Sequence, residues 1–150
     1  MKGNRLLELK EELTAIVGTK SLINDKKKID FYSTGIRVGN GEASMVVLPK
    51  TLLEFWSVLK LCISFKKILI LQAANTGLTG GSTPFGDNYD RDIVIINTMN
   101  IDQLVVINGG SQIIAFPGTT LYQLEENLLP LKRSPHSVIG SSCIGASVIG

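Results

Sequence analysis

The stretch MVVLPKTLLEFWSVLKLCISFKKILILQ, residues 45–72, constrains the fold more than any other. It holds two short apolar runs, MVVLP and KILILQ, with a helical pattern between them. Apolar runs without alternation mark strands covered on both faces, as in parallel sheets. Thr51 stands three residues before Glu54, the spacing of a capping box, so a helix is expected over LLEFWSVLKLCISF. Leu52, Phe55, Trp56, Leu59 and Ile63 are expected to share its buried face, with Trp56 in the core. Strand, helix and strand within about 30 residues make a βαβ unit.

Around this unit the pattern is α/β. Leu6, Leu9, Leu13 and Ile16 recur at helical spacing, and Gly18 stops the helix. Residues 19–44 are polar and weakly periodic, with a short helix near 29–32. Further on, DIVIINT, LVVIN and QIIAFPG follow one another through MNIDQ and GGS. Connections that short join antiparallel strands, so the sheet is expected to be mixed. Thr120 and Gln123 form a second capping box, before LYQLEENLLPL. Phe116 and Tyr122 are expected in the core.

The bounds agree with one folded domain. The chain has 150 residues, 44% of them apolar, and a mean hydropathy of +0.24. Fifteen Lys and Arg against thirteen Asp and Glu give a net charge of +2, which predicts no nucleic-acid partner. DKKKID, the densest basic run, reads as a solvated helix end. Cys62 and Cys143 fit no metal or CxxC spacing and read as reduced core residues of a cytosolic chain. The first residues mix charge with apolar side chains, unlike a signal peptide, and no apolar run has the length of a membrane span. The last residues, GSSCIGASVIG, carry no polar tail and read as a cut through a continuing element.

The second apolar run opens directly into AANTGLTGGSTPFGDN, residues 73–88. Walker A requires GxxxxGK[ST], but residues 77–82 read GLTGGS without the lysine that meets terminal phosphates. The dinucleotide fingerprint fails too, because Gly77, Gly80 and Gly81 are misspaced and strands follow rather than a helix. Two readings remain. In one, backbone N–H groups form a concave nest for an anion, helped by Asn75, Thr76, Thr79, Ser82 and Thr83. In the other, this is an ordinary glycine-rich surface loop. Its place after a strand's carboxyl end suits a ligand.

Taken together, ILILQAANTGLTGGSTP, DRDIVIINT, AFPGTTLYQLEENLLPL and PHSVIGSSCIGASVIG resemble the FAD-linked oxidases of the vanillyl-alcohol oxidase type, in their respiratory, quinone-linked branch. The resemblance covers nearly the whole chain and is weakest over residues 1–40. It implies an α+β FAD-binding (PCMH-type) domain of two lobes. The first lobe, about residues 1–135, would be complete with its mixed sheet. The second would begin at about 136–150 and be truncated, and the substrate domain would be absent. Ala73, Ala74, Asn75, Thr76 and Gly77 match the family's first FAD-contacting segment, and Gly81 and Ser82 its continuation. Gly140 and Ser147 match contacts in the second glycine- and serine-rich segment.

What the family implies for function is an oxidoreductase. This flavoprotein would oxidise D-lactate to pyruvate with non-covalent FAD and pass electrons to membrane quinone. It would lie on the cytoplasmic, inner face of the cell membrane, associating peripherally through downstream regions. Two alternatives stay open: a truncated, non-catalytic FAD- or nucleotide-binding module, and a related 2-hydroxy-acid dehydrogenase such as one for glycolate. The 150-residue chain alone is expected to be inactive and prone to self-association through its apolar last residues.

No catalytic residue is assigned. His136, the only histidine, reads either as an acid, base or flavin attachment point, or as a structural or cofactor-lining residue. Asp87, Asp90 and Asp92 lack the spacing of a calcium loop and read as solvated, with no metal expected. Glu125 and Glu126 are adjacent on a helix and point apart, so they form no catalytic pair.

Overall fold

The βαβ unit anticipated from residues 45–72 is present, but its two strands are not neighbours. The computed structural model describes residues 2–135 and 145–148. Along them run α1 (Lys2–Val17), β1 (Leu22–Ile23), α2 (Lys26–Ser33), β2 (Met45–Val47), α3 (Leu52–Ser64), β3 (Ile68–Gln72), β4 (Ile93–Asn97), β5 (Leu104–Ile107), β6 (Gln112–Ala115) and α4 (Leu121–Leu128). The first sheet has the order β1-β2-β4-β3. β4 lies between β2 and β3 and is parallel to both, pairing Val46 with Ile95 and Ile70 with Ile95.

That central place explains the composition of β4, whose five residues are all buried. Alternate side chains serve opposite faces. On one face Val94 and Ile96 meet Met45 and Val47, beneath Leu9 and Leu13 of α1 and Val58 and Cys62 of α3. On the other, Ile93 and Ile95 meet Val46 and Ile29 of α2. Each such side chain taken fully out of water contributes roughly 1.5–3 kcal/mol, which makes β4 the strand the first sheet is built on.

The helix starts follow from their caps. Asp25 accepts from the Lys28 N–H at 3.1 Å and opens α2 after the basic run begins. Thr51 accepts from the Glu54 N–H at 3.1 Å, while the Glu54 carboxylate reaches past the cap to the Lys50 N–H at 2.7 Å. The full reciprocal box forms at α4, between Thr120 and Gln123. α1 stops where Gly18 takes φ 81°.

Three expectations need correction. The sheet is mixed, but the antiparallel partner within it is β1, pairing Leu22 with Val47. MNIDQ does not fold β5 back on β4. Ile101, fully buried, anchors a turn, and the chain leaves for a second, two-stranded sheet in which β5 and β6 are antiparallel. The buried face of α3 is also rotated. Val58 and Cys62 are its buried residues, whereas Leu52, Trp56 and Ile63 are 51%, 53% and 59% exposed. α3 packs beside α1 over the sheet, so the contact centres on Val58 rather than on the largest side chains. Tyr122 is likewise exposed on α4, and Phe116 is half-buried.

The second sheet and α4 enclose their own core, in which Leu104, Val106 and Ile113 face Leu121, Leu124 and Leu128. Residues 145–148 join it. Ala146 packs in this cluster, and its carbonyl accepts from the Leu121 N–H at 3.0 Å.

Candidate functional site

The carboxyl ends of the parallel strands β2, β3 and β4 open onto one cleft of about 600 Å³. Leu48 follows β2 there, Ala73, Ala74 and Asn75 follow β3, and Met99 and Asn100 follow β4. Phe31, Tyr32, Thr34 and Ile36, from the end of α2 and the loop after it, form another wall. Gly145 brings the last described segment to the rim. No charged side chain is among these lining residues. Its walls are mainly apolar, from Phe31, Ile36, Leu48, Ala73, Ala74 and Met99, and the polar side chains among them are amides and hydroxyls rather than cations.

Two buried amides form the floor. β3 ends in Gln72 and β4 in Asn97, paired across the sheet and 2% and 4% exposed. A buried amide must use its hydrogen-bonding groups, and these do. Gln72 Nε2 donates to the Tyr32 carbonyl at 2.8 Å and the Ser82 carbonyl at 2.9 Å. Asn97 Nδ2 donates to Gln72 Oε1 and to the Ala73 carbonyl, both at 3.0 Å. Asn97 Oδ1 accepts from the Met99 N–H at 3.1 Å.

The glycine loop rises from this floor. Asn75 takes φ 54° and donates through Nδ2 to the Thr34 carbonyl at 2.9 Å. Its Oδ1 accepts from Ser82 Oγ at 2.8 Å, closing the loop on itself. Gly80 takes φ 74°, and a Cβ there would press on the Val38 carbonyl oxygen at 3.1 Å, so glycine is required on both counts. Gly77 and Gly81 differ. Neither has a left-handed φ, and a Cβ on either would meet nothing within 4 Å. What they leave is open space beside the backbone.

The sequence-derived positions thus divide. Ala73, Ala74 and Asn75 line the cleft, and Ser82 is joined to it through Asn75. Thr76, Gly77 and Gly81 sit in the same loop outside the lining. Ser147 pairs with Thr120, on the side of α4 and the second sheet. Gly140, His136 and Cys143 lie outside the described residues. Asp92 pairs with Lys67 Nζ at 2.6 Å and Asp90 with Arg91 at 3.1 Å, both on the surface. Among the described residues no set of three His, Cys, Asp or Glu could hold a metal. The groups with displaced pKa, Cys62 and Tyr122, line no part of this cleft.

Sequence reasoning passed over Gln72 and Asn97. The signal was available: each is an amide closing an apolar strand, ILILQ and IVIIN, where an aliphatic residue would be the ordinary choice. Their pairing required the insertion of β4 beside β3, which the sequence does not display.

A mixed sheet with helices on both faces, a glycine loop after the second of its parallel strands and a small antiparallel sheet with its own helix have a known counterpart. The fold is that of the FAD-binding domain of the vanillyl-alcohol oxidase type. Alkyldihydroxyacetonephosphate synthase matches with a TM-score of 0.72 over 82% of this chain and 24% of its own, at 18% identity. In sequence, the quinone-dependent D-lactate dehydrogenase of Haemophilus influenzae is 59% identical over 143 residues, 95% of this chain and 25% of the relative. That of Escherichia coli is 58% identical over 139 residues, 93% and 24% respectively. The chain is a homologue of the quinone-dependent D-lactate dehydrogenases and spans about a quarter of their length. No protein-family model matches it.

Proposed function

We propose that the protein is a flavoenzyme that oxidises D-lactate to pyruvate and passes the electrons to membrane quinone. The observation that carries this reading is the 59% identity, over 95% of the chain, to a quinone-dependent D-lactate dehydrogenase. The cleft supports it in chemical kind. The residues present fit FAD: a cleft without charged side chains among its described lining residues, at the carboxyl ends of parallel strands, a loop with left-handed Asn75, Gly80 and Gly86, and open space at Gly77 and Gly81 where a diphosphate can reach the backbone. FAD, when bound, supplies the two-electron acceptor for the hydride of the lactate α-carbon.

The chain's own share is to bind and orient. Residues 73–77, with Gly81 and Ser82, hold the diphosphate by N–H groups and hydroxyls, without covalent attachment. Gly140 and Ser147 contact the cofactor from the other side. Among the described residues no helix is long and apolar enough to cross a membrane. In this reading the protein meets quinone at the inner face of the cell membrane by peripheral association.

The test is flavin uptake and turnover by the whole protein of which this chain would be about a quarter, and by its Gly77→Val variant. A Cβ at residue 77 meets no protein atom, so the variant should keep its fold and lose FAD affinity about tenfold or more, the effect of about 1.4 kcal/mol of obstruction. Flavin fluorescence titration measures this, and an artificial electron acceptor reports D-lactate against glycolate oxidation. Unchanged affinity in Gly77→Val removes the diphosphate from this loop. Failure of the protein to take up FAD defeats the reading, and turnover of glycolate in preference to D-lactate moves it to a neighbouring 2-hydroxy acid.

A further inference from the structure

We infer that Gln72 and Asn97 are positioning residues: a buried amide clamp that sets the shape of the glycine loop and ties it to the opposite wall of the cleft. The inference rests on the FAD reading for its consequence, but its geometry stands without it. All four amide hydrogens of the pair are engaged, and each bond reaches a different part of the site. One holds Ala73, where the loop leaves β3, and one holds Ser82, where it returns. A third holds Tyr32 on the far wall, and the fourth joins the two amides. The clamp thus fixes the loop's entry and exit relative to each other and fixes both relative to the α2 wall.

Residue chemistry makes the assignment specific. Both contacts of Gln72 Nε2 are to carbonyl oxygens, so only a donor serves there, and a carboxylate of the same shape would repel both. Neither amide lines a strand core for packing alone, since an aliphatic residue would fill these places without needing partners. These bonds are all internal to the protein and hold the loop in one shape, so it loses less freedom on binding.

Two measurements test the clamp in Gln72→Met, which keeps volume and removes the donors. Proteolytic cleavage within residues 73–82 of the flavin-free protein should quicken about tenfold or more, while β4 stays resistant, because local opening needs only the clamp to break. FAD affinity, measured by fluorescence titration, should fall about tenfold, as expected for roughly one net hydrogen bond. Loop cleavage unchanged from the parent protein overturns the clamp whether or not flavin binds. Quickened cleavage with unchanged FAD affinity overturns its role in cofactor positioning. Failure of the parent protein to bind FAD counts against the FAD reading, and the cleavage result still decides the clamp. Should Gln72→Met fail to fold, Asn97→Ser releases Ala73 and Gln72 Oε1 and is read by the same two measurements.

Discussion

At the scale of single residues, burial and hydrogen bonding decide what each group can do. Cys62 is fully buried between α3 and the sheet, and burial pushes its thiol up to about 11, against a weaker opposing pull from Lys67. The unfolded chain ionises this thiol near 9.0, so between that pH and about 11 the folded state holds the proton more tightly. Stability from this group is therefore complete below pH 9 and is lost as pH rises toward 11. Denaturant unfolding from pH 8 to 10.5 should cost the parent protein about 1–2 kcal/mol more than Cys62→Ala. Equal losses in the two proteins would show that the thiol is not held neutral. Gly77 teaches the same lesson differently. Its value lies in the space it leaves, and the left-handed conformations of the loop belong to Asn75, Gly80 and Gly86.

At the scale of elements, local signals located the helices and only packing oriented them. The Thr51 and Thr120 caps stand where the sequence places them, because a side-chain oxygen three residues before a free N–H is a local arrangement. The face of α3 is not legible in the sequence because nine of its thirteen positions are apolar, and so wide an apolar face gives little direction. Trp56 lies on the outside with Lys60 Nζ 5.5 Å from its ring centroid. Trp56→Gln should then cost under about 1 kcal/mol, against the 3–5 kcal/mol of a buried aromatic truncation. A loss near the larger figure, by denaturant midpoint, would return Trp56 to the core.

At the scale of the molecule, two small cores sit side by side, one around β4 and one between the second sheet and α4. Leu53 and Trp56 of α3 and Leu71 of β3 are exposed, the last on an edge strand of the first sheet. Exposed apolar side chains beside an unpaired strand favour association between copies. We expect the 150-residue chain to show concentration-dependent light scattering, reduced by Trp56→Gln. A monodisperse monomer at every concentration overturns this. The apolar last residues, 137–150, are the other candidate for such contacts. Of them, residues 145–148 are described, and these pack against α4.

The sequence by itself determined the βαβ unit, the helix starts, the strands of unbroken apolar residues and a glycine loop at a carboxyl end. Each of these is set by interactions within a few residues: a cap, a period, a φ angle. Its resemblance to a flavoenzyme family was also legible, in four segments that keep their order. Only the tertiary structure decided that β4 enters between β2 and β3, that MNIDQ leads to a second sheet, and that Gln72 and Asn97 meet. Strand order depends on which apolar edges come together across 20 or more residues of chain, and loop closure at that range costs little extra whichever partner is chosen. The pairing that makes the site's floor was hidden for that reason: its two amides lie 25 residues apart and become neighbours only when the sheet is complete.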